Sequence, residues 1–87
     1  MNIEERVQKV FSERMNINPN LVVAENYNQP LTSYIFSFIA NDLVYLLYEI
    51  EKEFKIEIDQ SKLVDYRFNT IQGIIDIVSE TLEEKKA

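Results

Sequence analysis

The chain has 87 residues, 46% of them apolar and 28% charged, which is enough for one small globular domain and too apolar for a disordered segment. It contains no cysteine and no histidine, so disulfides, thiolate chemistry, imidazole catalysis and the common zinc ligand sets are excluded. A formal net charge of −6 argues against nucleic acid as a partner, since that binding rests on clustered Lys and Arg; a protein partner with a basic surface is its natural complement.

One glycine and two prolines leave little punctuation for a many-turned β-protein, so the composition leans helical. The opening Met1-Asn2-Ile3-Glu4-Glu5 is acidic where a signal peptide is basic and then apolar. The most apolar stretch, Leu31 to Tyr48, is interrupted by Asn41 and Asp42, short of the roughly 18 unbroken apolar residues a membrane span needs. A cytoplasmic protein with no membrane span is expected.

The first predicted helix covers about Ile3 to Met15, with Ile3, Val7, Val10 and Phe11 on one stripe. Asn2 and Glu5 have the spacing of a capping box, in which a short polar side chain takes an orphan backbone N–H. A long connector follows from Asn16 to Ser37, Asn/Pro-rich and then strongly apolar. Pro19 begins a turn there, and Pro30 keeps Gln29 extended. The second helix is expected over about Asn41 to Phe54, because Leu43, Leu46, Leu47, Ile50 and Phe54 recur at three- and four-residue steps. The second connector, Lys55 to Phe68, contains the alternating triplet Ile56-Glu57-Ile58. With no comparable partner strand, the triplet reads as an extended link into a short helix near Gln60–Val64.

The third main helix is expected over about Thr70 to Leu82, on Ile71, Ile74, Ile75, Val78 and Leu82. Asn69 and Gln72 offer it a second capping box, and Lys85 and Lys86 suit the negative end of its dipole. Gly73 costs that helix about 1 kcal/mol of propensity against Ala and points to a close backbone approach. The whole chain, residues 1–87, thus reads as one all-α domain: a small bundle of three main helices plus one short helix, with a long first loop.

A family resemblance runs through these elements. The run Asn41-Asp42-Leu43-Val44-Tyr45-Leu46-Leu47-Tyr48-Glu49-Ile50-Glu51-Lys52-Glu53-Phe54 resembles the second helix of acyl carrier proteins, where an Asp-Ser-Leu triplet opens a helix that ends in an acidic Leu-Glu-x-x-Phe run. Ile3-Glu4-Glu5-Arg6-Val7 resembles the start of many such carriers, and Glu57-Ile58-Asp59 the step into their third helix. Phe68 to Val78 is similar to the Thr-Val-x-x-x-Ile-Asp-x-Ile opening of their last helix. Among relatives, the chain looks most like the acyl carrier-related proteins of bacterial peptide maturation systems. The resemblance implies an acyl carrier-like bundle, yet aligning Ile50 to Phe54 with the family ending puts Ala40 where the phosphopantetheine-bearing serine belongs. Ile39 and Asn41 then replace that serine's Asp and Leu neighbours. The alanine has no oxygen to carry the arm.

Two functional expectations follow. The first is a non-enzymatic interaction module with no cofactor, docking a protein partner through the second-helix surface at Asp42, Tyr45, Glu49 and Glu51. The alternative is a working carrier of acyl, aminoacyl or peptidyl thioesters, with phosphopantetheine moved to Ser37, three residues before Ala40 and so about one helical turn away. Ser37 lies between Phe36 and Phe38, outside the Asp-Ser-Leu context, and its simpler role is a cap or loop hydroxyl. Asp42, Glu49, Glu51 and Glu53 read otherwise as a solvated face with ordinary pairs such as Glu49–Lys52. Tyr34, Phe36, Phe38, Tyr45 and Tyr48 crowd one segment, and most are expected in the core or packed under the loop. Exposed ones beside Asp42 would form an apolar anchor rimmed by acid. No base, nucleophile and oxyanion donors converge in the sequence. The Asp59–Asp65 segment lacks the alternating ligands and glycine of a calcium loop, so no enzyme and no metal site are expected.

Overall fold

The computed structural model describes residues 2–86, and among them every regular element is helical. Helix α1 (Ile3–Lys9) starts on the expected capping box. Extended Asn2 accepts the Glu5 N–H at 2.8 Å, and the Glu5 carboxylate accepts the Asn2 N–H at 3.4 Å. The helix then widens into a π-helical turn, Val10–Arg14, closed by the Met15 N–H on the Val10 carbonyl at 3.2 Å. Such widened turns are uncommon and shift the side chains that follow them. Here the turn ends on Arg14, which faces the second helix.

Helix α2 (Ala40–Phe54) begins one residue before the predicted start. Ile39 is extended (φ −105°, ψ 175°), and the Asp42 carboxylate reaches back to accept its N–H at 2.9 Å. The helix stops on Lys55, which takes the left-handed conformation (φ 54°) that commonly ends helices. The expected extended link follows. Ile56 and Ile58 are buried with Glu57 exposed between them, and the Glu51 carboxylate ties the Ile58 N–H at 2.9 Å. Where a short helix was expected near Gln60–Val64, the chain makes a 3-10 segment, Gln60–Leu63, and a second one at Arg67–Asn69.

Helix α3 (Ile71–Lys86) runs one turn beyond its predicted end. Its first turn departs from the expected Asn69–Gln72 box. Thr70, extended at φ −142° and ψ 155°, supplies the cap, its hydroxyl accepting the Gly73 N–H at 2.9 Å. Asn69 instead donates to the Thr32 hydroxyl, and the Tyr27 carbonyl takes the Gln72 N–H at 3.0 Å. The first loop therefore satisfies an orphan donor of α3. Lys85 bonds the Lys55 carbonyl at 3.0 Å, so it ends up serving the end of α2.

The core is built by α1, α2 and α3 around Val7, Val10, Phe11, Leu46, Ile50, Ile71, Ile74, Ile77 and Val78, all fully buried. The long loop is part of it. Leu31 is fully buried, with its N–H on the Asn69 carbonyl and its carbonyl accepting from Phe38. Phe38 stacks on Phe11 at 6.1 Å, and Phe36 meets the same ring tilted at 6.4 Å. Buried Tyr27 joins loop to α1, donating its hydroxyl to Glu4 at 2.6 Å and accepting from Gln8 at 2.7 Å. Burial, then the bond to Glu4, pushes the Tyr27 phenol up to about 12.

Gly73 has the close approach its place in a helix implied. A methyl there would sit 2.9 Å from the Arg67 carbonyl carbon and nearer still to its oxygen, and backbone atoms cannot swing aside as a side-chain tip can. Gly73→Ala is therefore expected to destabilise the domain by about 1–3 kcal/mol, although helix propensity alone favours Ala by about 1 kcal/mol. Urea unfolding checks the sign: a raised midpoint at unchanged slope would mean the contact does not constrain the fold.

Candidate functional site

At about 100° per residue, Asp42, Tyr45 and Glu49 fall on one side of α2 and Glu51 on the opposite side. Asp42 is half-buried and occupied in capping Ile39. Glu51 is half-buried and holds the Ile58 N–H. Glu49, expected on the docking surface, is buried at 7% exposure. It lies against Arg14 at 4.0 Å and pairs with Lys52 at 3.6 Å, the latter as the spacing suggested. Tyr45 alone of the four is well exposed, at 56%. The expected exposure of Glu49 is corrected accordingly, while Asp42 and Glu51 stay half-exposed with one intramolecular bond each.

Glu49 and Glu53 are drawn inward by arginines of α1 and the π-helical turn. Glu53 is clamped by two arginines, with Arg6 Nε at 3.0 Å from one carboxylate oxygen and an Arg14 guanidinium nitrogen at 2.6 Å from the other. Arg6 also donates to the Glu53 carbonyl at 2.6 Å and lies 4.3 Å above the Phe54 ring, a cation–π contact. Burial pushes the Glu53 carboxyl up, but the Arg6 hydrogen bond and the charges of Arg14, Arg6 and Lys9 outweigh it and hold the group below its ordinary value.

The outward stripe of α2 is apolar and aromatic. Val44, Tyr45 and Tyr48 are 55%, 56% and 66% exposed, opposite the stripe of Leu46, Ile50 and Phe54 that enters the core. Ile39, at the helix entrance, is also exposed. The aromatic segment thus splits: Phe36 and Phe38 are core, whereas Tyr34, Tyr45 and Tyr48 are exposed, against the expectation that most would be buried. Alternation places the two phenylalanines inward, and the positive φ of Ser37 (56°) bends the chain between them.

Beside this stripe, α2 and the 63–69 segment enclose an apolar cleft of about 380 Å³. Leu43, Val44 and Leu47 form one wall, Leu63, Tyr66 and Phe68 the other, with Thr32 and Asn69 closing it. Tyr66 stands at the cleft 85% exposed, on a left-handed backbone (φ 60°). The position of Tyr48 was readable from helical spacing once the buried stripe was known. Tyr66 was not, because a connector has no periodicity to place it.

Ala40, the position matched to the carrier serine, is the first residue of α2 and is exposed. Ser37 is exposed too, but it lies outside the helix. Its left-handed backbone and the extended Ile39 separate it from α2, and its hydroxyl donates to the Tyr34 carbonyl at 3.2 Å. A helix start shifted to include Ser37 is therefore not observed. Among the described residues no three His, Cys, Asp or Glu side chains gather to hold a metal ion, and no helix is long and apolar enough to cross a membrane.

The Glu53 clamp has a consequence for acid stability. A carboxyl whose pKa is lower in the folded than in the unfolded chain stabilises the fold above the unfolded value, about 4.3 for Glu, and loses that contribution as pH falls through the folded value. Glu53→Gln is expected to lower stability at neutral pH and to flatten the fall below about pH 4.3. Thermal unfolding across that range tests it; an acid limb as steep as in the native chain would remove Glu53 as a source of acid sensitivity.

No family model matches the chain, and no solved structure matches it.

Proposed function

We propose that the chain is a non-enzymatic, acyl carrier-like interaction module that docks a partner protein through the outer face of α2. The observation that carries this reading is the exposed Val44, Tyr45 and Tyr48 stripe beside an open apolar cleft. A rigid helix that turns large side chains to solvent presents the kind of aromatic anchor that dominates binding energy at protein interfaces. An exposed alanine at the head of α2 supports a module without an arm. The 3-10 segment at Gln60–Leu63 supports a short additional element between the second and third main helices. The net charge of −6 steers the approach of a basic partner, while contact itself is apolar. The resemblance to peptide-maturation carriers makes an enzyme or scaffold of such a bacterial pathway the partner to seek.

The carrier alternative is kept for one reason: the Ser37 hydroxyl is exposed and within reach of a modifying enzyme. Intact mass after incubation with coenzyme A and a broad-specificity phosphopantetheinyl transferase, with an ordinary carrier as control, separates the two. No mass gain while the control converts is expected. A gain that disappears in Ser37→Ala would make the chain a carrier. Against purified pathway proteins, Tyr45→Ala and Tyr48→Ala are each expected to weaken capture by about tenfold or more. Capture unchanged by both would take the docking face away from α2.

A further inference from the structure

We infer that the cleft between α2 and the 63–69 segment binds a compact, uncharged ring compound carrying a hydroxyl or amide group, with Tyr66 as its clamp. Of the outer stripe Val44, Tyr45 and Tyr48, only Val44 also lines this cleft. The inference therefore does not rest on partner docking.

The lining sets the chemistry of the occupant. The cleft walls are aliphatic and aromatic, Thr32 and Asn69 are the polar residues at its edge, and no lining residue carries a charge. A charged ligand group would enter without a counter-charge, which is costly away from water, so the ligand is neutral. The volume of about 380 Å³ lies at the small end of the roughly 300–1,000 Å³ that small-molecule sites enclose. It suits a compact molecule and not a large cofactor. The rings of Tyr66 and Phe68 in one wall favour an aromatic body, because ring pairs contribute beyond their buried area.

The polar edge sets the ligand's one polar group. Asn69 Nδ2 donates to the Thr32 hydroxyl at 3.3 Å, which leaves the hydroxyl proton of Thr32 to give. The Asn69 Oδ1 atom is buried and has no partner among the described residues. Such an orphan is uncommon and costly in a native fold. A hydroxyl or amide both donates and accepts, so a ligand that carries one answers Thr32 and, after a turn of the amide, Asn69 as well.

The backbone supplies an independent observation. Asp65 and Tyr66 are both left-handed, at φ 58° and 60°, in a tight turn closed by the Arg67 N–H on the Val64 carbonyl at 3.3 Å. Turns with two positive φ angles favour Asn-Gly and similar pairs, since a β-carbon is unfavourable there. A bulky residue in the second place is an outlier. Its ring is 85% exposed and recovers little of that cost by packing in the free chain. Strain of this kind concentrates at ligand clamps. Here it holds the Tyr66 ring beside the cleft, where a ligand ring can pack against it.

The test is a titration of the isotope-labelled full chain with β-naphthol, and with β-naphthoate as the charged counterpart of the same ring system, followed by backbone amide chemical shifts. For β-naphthol, saturable shifts at Leu43, Leu47, Leu63, Phe68 and Asn69 are expected, with a dissociation constant on the order of 0.1–1 mM for so small a probe. β-Naphthoate should bind about tenfold more weakly or worse. Tyr66→Gly keeps the left-handed turn and removes the ring. It is expected to raise the urea midpoint and yet to weaken β-naphthol binding by about fivefold or more. Tyr34→Ala, at an exposed tyrosine outside the cleft, should leave binding unchanged. Shifts that do not saturate or that lie away from the cleft, equal binding of the two probes, or undiminished binding by Tyr66→Gly overturns the inference. So does a lowered midpoint in Tyr66→Gly, which would make the ring a support of the free fold. No partner protein enters the titration, so its failure leaves partner docking standing, and failed partner capture leaves the cleft site standing.

Discussion

The clamp of Arg6 and Arg14 on Glu53 is the constraint on which the arrangement of this protein depends. A carboxylate 13% exposed along its side chain would be costly without compensation. Two guanidinium groups and a backbone contact supply that compensation across the α1–α2 junction. The π-turn at Val10–Arg14 carries the second arginine to the site, which gives this irregular stretch of α1 a structural reason. With Glu53 and Glu49 drawn toward α1, the charged side of α2 belongs to the interior of the bundle. The outer stripe that meets solvent carries Val44, Tyr45 and Tyr48, with Lys52 beside them.

The long first loop solves a problem of volume. Three helices of this length enclose a core too small to be stable alone, and the loop fills it with Leu31, Phe36 and Phe38, two of them against Phe11. Its backbone is held near the middle of its path, by Asn69 at Leu31 and by Gln72 at Tyr27. The Gln72 bond satisfies a donor in the first turn of α3, and the Leu31 bond satisfies a donor of the loop. Among the described residues, five non-glycine residues adopt positive φ, at Asn16, Ser37, Lys55, Asp65 and Tyr66. With a single glycine in the chain, tight reversals fall to residues that take this conformation at a cost, and tertiary packing has to meet it.

Fold and function connect at the cleft between α2 and the 63–69 segment. The connector is short of apolar mass and bends away at Asp65–Tyr66, leaving Leu43, Val44 and Leu47 partly open. A helix face that is aromatic, rigid and nearly free of charge binds by shape and desolvation more than by electrostatic pairing. On the proposed docking reading, the acidic residues elsewhere would act at longer range, on the approach of a partner.

The sequence by itself determined the three helices, their order and the absence of sheet, because apolar spacing and the Asn2–Glu5 cap are local properties of a helix. It also determined the tight approach at Gly73, since a lone helical glycine needs a steric reason. Only the tertiary structure decided which carboxylates face water. Glu49 and Glu51 look alike in sequence, yet one is buried beside Arg14, a partner from another element, and the other is tied to Ile58 in the connector that follows α2. The same holds for the tyrosines: periodicity separates Tyr48 from the buried stripe, but burial of Phe36 and Phe38 against Phe11 depends on where a loop without period comes to rest. Local patterns specify elements, while long-range packing selects the surface through which they act.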